Sequence, residues 1–460
     1  MYGNKRVLVL GLGDSGFSAS RWLISHGAEV TVADSRENPP QLAKFREAFP
    51  SVSIHLGPFD DMIFGGVDYV VVSPGIAIAE PCIARAIAKG IEVIGDVELF
   101  ARSVKHWPSK VIAITGSNGK STVTSLVGHL CESQGLKTVV AGNIGLPVLD
   151  ALTMAEEDIA DGEGHPDVFV LELSSFQLET TFSLHCHSAA VLNISEDHLD
   201  RYNGMDGYAT AKSRIFQQCD SQVLNKEDWR CLAMQKQTKA CFHFGLGLPE
   251  KVTDFGMVET PSGPWLVKGG DALMAVSDIP LAGLHNAANT LAAFALLEGA
   301  GLDAKAAIPH VGSFKGLAHR VEPVVTVNNV TFIDDSKGTN VGATEAALKG
   351  MTRPVLLIAG GDGKGQDFSP LKAAILQSGK AVFLIGKDAQ AIADVIGTAL
   401  PVSMHSSLED AVEAAWQAAA AGDVILLSPA CASLDMFKNY AHRAEVFISA
   451  AKQIAARQQG

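Results

Sequence analysis

The chain has 460 residues, too many for one hydrophobic core, which stops growing near roughly 250 to 300 residues, so two to four domains are expected. Apolar residues make up 47% and charged residues 19%, which fills several interiors and excludes wholesale disorder. The formal net charge of -14 at pH 7 argues against nucleic acid as a partner, while a few local cations and backbone N–H groups can still hold a small phosphorylated ligand.

The first residues, Met1 to Arg6, run straight into the apolar strand Val7 to Leu10 without the h-region of a signal peptide, so no leader is expected. No apolar stretch reaches the roughly 20 residues that cross a bilayer, so no membrane insertion and a cytoplasmic location are expected. The seven cysteines are scattered, never paired as CxxC, and suit reduced thiols rather than a disulfide framework or a zinc site.

From there short apolar runs alternate with helical patterns almost to the end, the pattern of βαβ units and parallel sheets. The runs are Val7 to Leu10, Val30 to Ala33, Val67 to Val72, Val111 to Thr115, Val168 to Leu173, Ala189 to Asn193, Val330 to Ile333, Val355 to Ala359, Ala381 to Ile385 and Val424 to Ser428. Glycine-rich turns follow strands at Gly11, Gly116 and Gly360, and each could open a separate nucleotide-type domain. Boundaries near Glu98 and Gly316 divide the chain into 1–98, 99–316 and 317–460, with a helix-rich stretch from Leu281 closing the middle part. The acidic run from Glu156 to Asp167 reads as a solvated surface loop.

The first turn, Gly11-Leu-Gly13-Asp14-Ser15-Gly16, fits GxGxxG between strand and helix, and Asp34 ends the next strand where an acid can meet a ribose hydroxyl. Alone it favours NAD and an oxidoreductase. The sharper signal is Thr115-Gly116-Ser-Asn118-Gly119-Lys120-Ser121-Thr122, a glycine loop between strand and helix. Its N–H groups can cradle phosphate, Lys120 can neutralise phosphate oxygens and a hydroxyl of Ser121 or Thr122 can reach Mg²⁺, although Ile114 stands where the usual eight-residue loop has its first glycine. Glu172 ends a strand and is the natural metal acid, against the plainer reading of an exposed carboxylate. His198 lies in the polar loop Asn193-Ile-Ser-Glu-Asp-His-Leu-Asp-Arg201, Lys212 reads by itself as a solvated helical lysine, and Asn289 stands one turn from His285, where capping is the bland reading. In the last third Lys337, Thr339, Lys364 and Ser433 could converge on one small anion above a sheet edge.

Taken in order, these segments resemble the Mur ligases, cytoplasmic peptidoglycan precursor synthetases related to folylpolyglutamate synthetases. The likeness covers essentially the whole chain through TGSNGKST, GNIG at Gly142 to Gly145, ELSSFQLE, NISEDHLDR, AKSRIF, GLHNAANTLAA, HRVE, DDSKGTN and SPACASLD. The ending Leu427 to Asn439 resembles the D-glutamate-adding branch, and neither the DNPR of the diamino-acid-adding branch nor the GxGGxGM opening of the L-alanine-adding branch is present.

The resemblance implies an α/β chain of three domains: Rossmann-like, central P-loop ATPase-type with a parallel sheet, and Rossmann-like again. It implies a monomeric ATP-dependent ligase that joins D-glutamate to UDP-N-acetylmuramoyl-L-alanine through an acyl phosphate, with ATP as co-substrate and two Mg²⁺. By the same resemblance Gly116, Asn118, Gly119, Lys120, Ser121, Thr122, Asn289, Arg320 and Asp335 hold ATP, while Asp14, Ser15, Asp34, Arg36, Gly75 and Asn143 hold the UDP-sugar. Lys337, Thr339, Lys364, Ser433, Leu434 and Tyr440 take D-glutamate; Ser121, Glu172, His198 and a carbamylated Lys212 take the metal; and Lys120, Lys212 and His198 are catalytic. Tyr440 and Gly338 depart from the Phe and Ala expected there. An NAD-dependent oxidoreductase and a nucleotide-sensing relative without turnover stand as alternatives.

Overall fold

The computed structural model describes residues 2–198, 201–281 and 283–459, so Asp200 of the polar loop lies outside the described residues. The chain forms three sheets. The first contains β1 (Arg6–Leu10), β2 (Glu29–Asp34), β3 (Ser53–Leu56), β4 (Tyr69–Val72) and β5 (Glu92–Ile94), all parallel, in the order β3-β2-β1-β4-β5. The order reverses between β1 and β4, and the crevice at such a reversal lies at the carboxyl ends of the strands. Here it falls between the Gly11 turn and the loop from Ser73. Val67, read as part of the fourth strand, lies just before it in the irregular segment after the Gly65-Gly66 turn, because pairing with β1 begins only at Tyr69.

The middle sheet has nine strands: β6 (Lys110–Thr115), β7 (Thr138–Gly142), β8 (Val168–Glu172), β9 (His185–Val191), β10 (Gln218–Asn225), β11 (Ala240–Phe244), β12 (Phe255–Thr260), β13 (Gly263–Lys268) and β14 (Asp271–Ala275). Its order is β14-β13-β12-β11-β10-β9-β6-β8-β7, and the β12-β13-β14 meander is antiparallel. From β7 across to β12 the sheet is parallel, as expected of a parallel-sheet domain, and the antiparallel meander is an addition at one edge. The predicted strand Ala189 to Asn193 ends earlier, at Val191, because Asn193 leaves the ladder to hydrogen-bond the Gly116 loop: its Oδ1 accepts from Asn118 N at 2.8 Å. The helix Leu284–Gly299 covers one face and buries Leu291, Phe294 and Leu297 completely, each contributing about 2 kcal/mol of burial.

The third sheet holds β15 (Glu322–Val327), β16 (Val330–Asp334), β17 (Val355–Gly360), β18 (Gly379–Ile385), β19 (Val402–Met404) and β20 (Val424–Leu427) in the order β15-β16-β20-β17-β18-β19. Only the β15-β16 pair is antiparallel. Buried aliphatic layers lie on both faces, with Leu357 and Leu426 in one and Ile358 and Leu427 in the other, as the two-residue period of a strand requires.

The acidic run from Glu156 to Asp167, expected as a surface loop throughout, is corrected in its first part. Glu156 to Ala160 complete the helix Val148–Ala160, and only the following residues form the exposed connection. Glu156 Oε2 accepts from Trp22 Nε1 at 3.2 Å, and Asp150 of the same helix pairs with Arg21 at 2.7 Å, so this acidic face joins the first domain to the second.

Candidate active site

The six residues expected to hold the UDP-sugar, Asp14, Ser15, Asp34, Arg36, Gly75 and Asn143, line one cleft of about 810 Å³ between the first and middle sheets. Asp34 is committed within it. Its Oδ2 accepts from Leu12 N at 2.7 Å and from Arg36 Nη2 at 2.7 Å, and its Oδ1 accepts from Arg36 N and Nε at 2.9 Å. Burial pushes its acid strength down, but these bonds outweigh it and hold the carboxyl below its usual range. Asp34 therefore braces the glycine turn and presents Arg36, rather than offering free oxygens to a ribose.

Beneath this cleft Asp96 is buried, with Ser15 and Gln177 as side-chain partners. Burial raises its carboxyl to about 6, against the pull of Val97 N–H, Gln177 and Ser15. A carboxyl raised on folding costs nothing below pH 3.8, progressively more from there to about 6, and the full amount above; the rise corresponds to about 3 kcal/mol. Asp96→Asn is therefore expected to raise the thermal midpoint at pH 8 and to lose that advantage towards pH 4. An advantage that stays constant across that range would contradict the assignment.

The phosphate loop sits at the reversal of the middle sheet, between β6 and β9. Gly119 has φ +83°, and a Cβ there would lie 2.8 Å from Asn289 Oδ1, so glycine is required both by conformation and by that contact. Asn289 is thus a loop neighbour and not a helix cap; the helix begins at Gly283 without a side-chain cap. Lys120 folds back, donating from Nζ to Gly116 O at 2.8 Å and to Ser117 O at 2.9 Å. Burial lowers its basicity, opposed by Glu172 and Asp197.

Glu172 and Lys212 are both buried, which overturns the plain readings of an exposed carboxylate and a solvated lysine. Glu172 Oε1 accepts from Asn143 Nδ2 at 2.8 Å, whereas its buried Oε2 has no hydrogen-bond partner among the described residues. A buried carboxylate oxygen without a donor is costly unless a cation meets it, and oxygen donors of this kind suit Mg²⁺. Lys212 Nζ lies 3.4 Å from Thr115 Oγ1 and 4.6 Å above the Tyr208 ring. Burial, and then the charge of Lys120, pushes its pKa well below the usual lysine range. His198 has φ +54° and packs against Phe176, with ring centroids 4.8 Å apart; burial lowers its pKa, against the pull of Asp197.

The third domain closes onto this loop. Arg320 Nη2 donates to Ser121 Oγ at 2.8 Å, and Asn340 Nδ2 donates to Asn118 Oδ1 at 3.1 Å. Asn118, Gly119, Thr122, Asn289, Arg320 and Asp335 line a shared pocket of about 90 Å³; Gly116, Lys120 and Ser121 are outside that lining. Asp335 accepts from Ser428 Oγ at 2.6 Å, and burial raises its carboxyl to about 7, countered by Ser428 and Arg320. Gly338 belongs to this packing, because a Cβ there would come within 2.6 Å of Asp335 Oδ2.

Lys337, Lys364 and Ser433 follow β16, β17 and β20 at the same carboxyl edge. The loops are tied by Ala430 N to Gly338 O at 3.0 Å and by Asp362 N to Ala432 O at 3.0 Å. Lys337 Nζ lies 3.8 Å above the Tyr440 ring, Ser433 is buried, and Thr339 N donates to Lys337 O at 2.9 Å. Leu434 stands apart, 72% exposed.

Comparison with known proteins follows the same three-part division. The profile of the Mur ligase MurD-like N-terminal domain matches residues 5–95, that of the Mur ligase middle domain residues 114–297, and that of the Mur ligase glutamate ligase domain residues 319–431. This chain belongs to the Mur ligase family. The UDP-N-acetylmuramoylalanine–D-glutamate ligase of Methylobacillus flagellatus is 53% identical, over 97% of this chain and 96% of its own. The protein of that name from Chromobacterium violaceum is 53% identical over 99% of each chain. Among solved structures, MurC of Thermotoga maritima superposes with a TM-score of 0.60 at 18% identity, covering 98% of this chain and 100% of its own. MurF of Acinetobacter baumannii gives 0.61 at 17% identity, covering 96% and 92%. Both share the Mur ligase fold.

In this Mur ligase, sequence reasoning passed over several residues that join its parts. Asn340 closes the DDSKGTN run, and Arg201 closes NISEDHLDR, yet neither carried a role. Arg201 Nη2 donates to Ile76 O at 3.0 Å and to Glu179 Oε2 at 3.2 Å, and its guanidinium lies 4.5 Å from the Phe176 ring centroid. It links the wall of the first cleft to the His198 loop. Arg201→Leu is expected to raise the KM for the nucleotide-sugar roughly tenfold, the worth of a charged hydrogen bond, with the KM for ATP little changed; equal rises in both would contradict this link. Among the described residues no helix is long and apolar enough to cross a membrane.

Proposed function

We propose that this chain is an ATP-dependent ligase that joins D-glutamate to UDP-N-acetylmuramoyl-L-alanine, a cytoplasmic step of peptidoglycan precursor synthesis. The observation that carries the reading is Arg320 of the third domain donating to Ser121 Oγ on the phosphate loop, beside the unpartnered Oε2 of Glu172. That arrangement suits phosphoryl transfer at a domain junction, and half-identity to D-glutamate ligases over the full length supports the substrates. Domains 1–98, 99–316 and 317–460 would bind UDP-sugar, ATP and amino acid respectively.

A carboxylate resists attack by an amine, so the L-alanyl carboxylate first takes the γ-phosphoryl group of ATP. The loop amides from Gly116 to Thr122 would hold the phosphates, and Lys120 would turn from its carbonyl partners to neutralise their oxygens. Asn289, Arg320 and Asp335 would hold the rest of the nucleotide. Ser121, Glu172, His198 and Lys212, once its neutral amine has added CO₂ and released a proton, would hold two Mg²⁺ that offset charge on the transferring group. Lys337, Thr339, Lys364, Ser433, Leu434 and Tyr440 would seat D-glutamate, whose amine attacks the acyl phosphate and expels phosphate. Domain closure excludes water from that intermediate.

The route is tested with ¹⁸O in the L-alanyl carboxylate. One labelled oxygen is expected in the released phosphate, and only when D-glutamate is supplied for product formation. Amide product with unlabelled phosphate would overturn the acyl phosphate.

A further inference from the structure

The helix Tyr440–Gln459 contains Arg443, which is 0% exposed. Its guanidinium donates from Nε to Ser336 Oγ at 3.0 Å, from Nη2 to Ser336 O at 2.8 Å and from Nη1 to Cys431 O at 3.1 Å. All three acceptors are hydroxyl or carbonyl oxygens, and none is a carboxylate. Burial pushes the guanidinium down to about 10, and the acids that pull it back, Asp435, Asp334 and Asp335, act from beyond hydrogen-bond reach.

The two loops held by this one group are those that carry Lys337 and Ser433. Ser336 lies between Asp335 and Lys337, and Cys431 lies two residues before Ser433. The Ser336 hydroxyl also donates to Tyr440 O at 2.8 Å, and the Tyr440 ring lies under Lys337 Nζ. A buried guanidinium is expensive, and an apolar side chain of similar volume would pack as well or better. What Arg offers instead is a rigid planar fork that fixes several acceptors at once.

We infer that Arg443 is a positioning residue for the amino-acid substrate: its fork sets loops 335–337 and 431–433 in register so that Lys337 and Ser433 meet a dianionic amino acid. The inference rests on the D-glutamate reading above. Its test compares Arg443→Lys, which keeps charge but loses the fork, with Arg443→Met, which loses both, in steady-state assays with ATP, UDP-N-acetylmuramoyl-L-alanine and D-glutamate varied in turn.

The KM for D-glutamate is expected to rise about 10-fold in Arg443→Lys and about 100-fold in Arg443→Met, the scale of a misplaced binding group, while the other two KM values stay within about threefold. Unchanged D-glutamate KM in both variants, rescue to wild type by Lys, or parallel rises for all three substrates would overturn it. If Arg443→Met does not fold, Ser336→Ala keeps the two carbonyl bonds and removes the hydroxyl; a selective rise of about threefold in D-glutamate KM is then expected, and no selective rise overturns the inference. Absence of D-glutamate-dependent phosphate release by the wild type would instead sink the D-glutamate reading, so the two failures are distinct.

Discussion

Lys120→Ala is expected to lower turnover by about 10³-fold or more, with affinity for UDP-N-acetylmuramoyl-L-alanine changed by no more than about twofold. The asymmetry follows from position. Lys120 opens the helix Lys120–Ser133 in the middle domain, whereas the cleft that gathers Asp14, Asp34 and Arg36 is built mainly on the first sheet. Its ammonium is satisfied by Gly116 O and Ser117 O, two bonds it can exchange for phosphate oxygens without a change of backbone. Phosphoryl transfer draws on neutralised charge more than on covalent help from the protein, so loss of this cation strikes the transition state. Lys120→Arg is not expected to rescue, because a planar fork is a poor substitute for a compact ammonium in a closed loop. Single-turnover phosphate release with saturating UDP-sugar measures the first effect, and calorimetric titration of UDP-sugar measures the second; near wild-type turnover would remove Lys120 from the chemistry.

Lys212→Ala is expected to cost about 10²-fold or more in turnover, with no recovery in Lys212→Arg. Lys212 is 1% exposed, and burial, then Lys120, drives it towards the neutral amine. A neutral amine is the form that adds CO₂. The product is an anion, which reverses the charge at a point where Glu172 already supplies one unpartnered oxygen. With ¹³C-bicarbonate the wild type should show a carbamate carbon resonance that Lys212→Ala lacks. The same resonance in both proteins, or full activity in the alanine variant, would return Lys212 to a packing role over Tyr208.

The residues that were legible in the sequence are those whose role is local. Gly116, Gly119 and Lys120 announce a phosphate loop because the requirement is written into eight consecutive positions between a strand and a helix. The strands β1, β6 and β17 announce themselves as apolar runs that end in glycine, and β8 as an apolar run that ends in Glu172, because a strand buried on both faces leaves few polar positions. What was not legible depends on distant partners. Lys212 alternates with ordinary helix residues, and only the fold puts it beneath Thr115. The β12-β13-β14 meander carries half-exposed strands with no strong apolar run, so it was absorbed into the expectation of a parallel sheet. Glu156 looks like part of an acidic loop until Trp22 is seen donating to it. Arg443 gives no local signal at all; its three acceptors are 12 and 107 residues away in sequence.

The most direct test of the account is phosphate release from ATP and Mg²⁺ with UDP-N-acetylmuramoyl-L-alanine, with D-glutamate compared against L-glutamate, L-alanine, L-lysine and meso-diaminopimelate. Release with D-glutamate alone is predicted. Release with another amino acid, and none with D-glutamate, would contradict it.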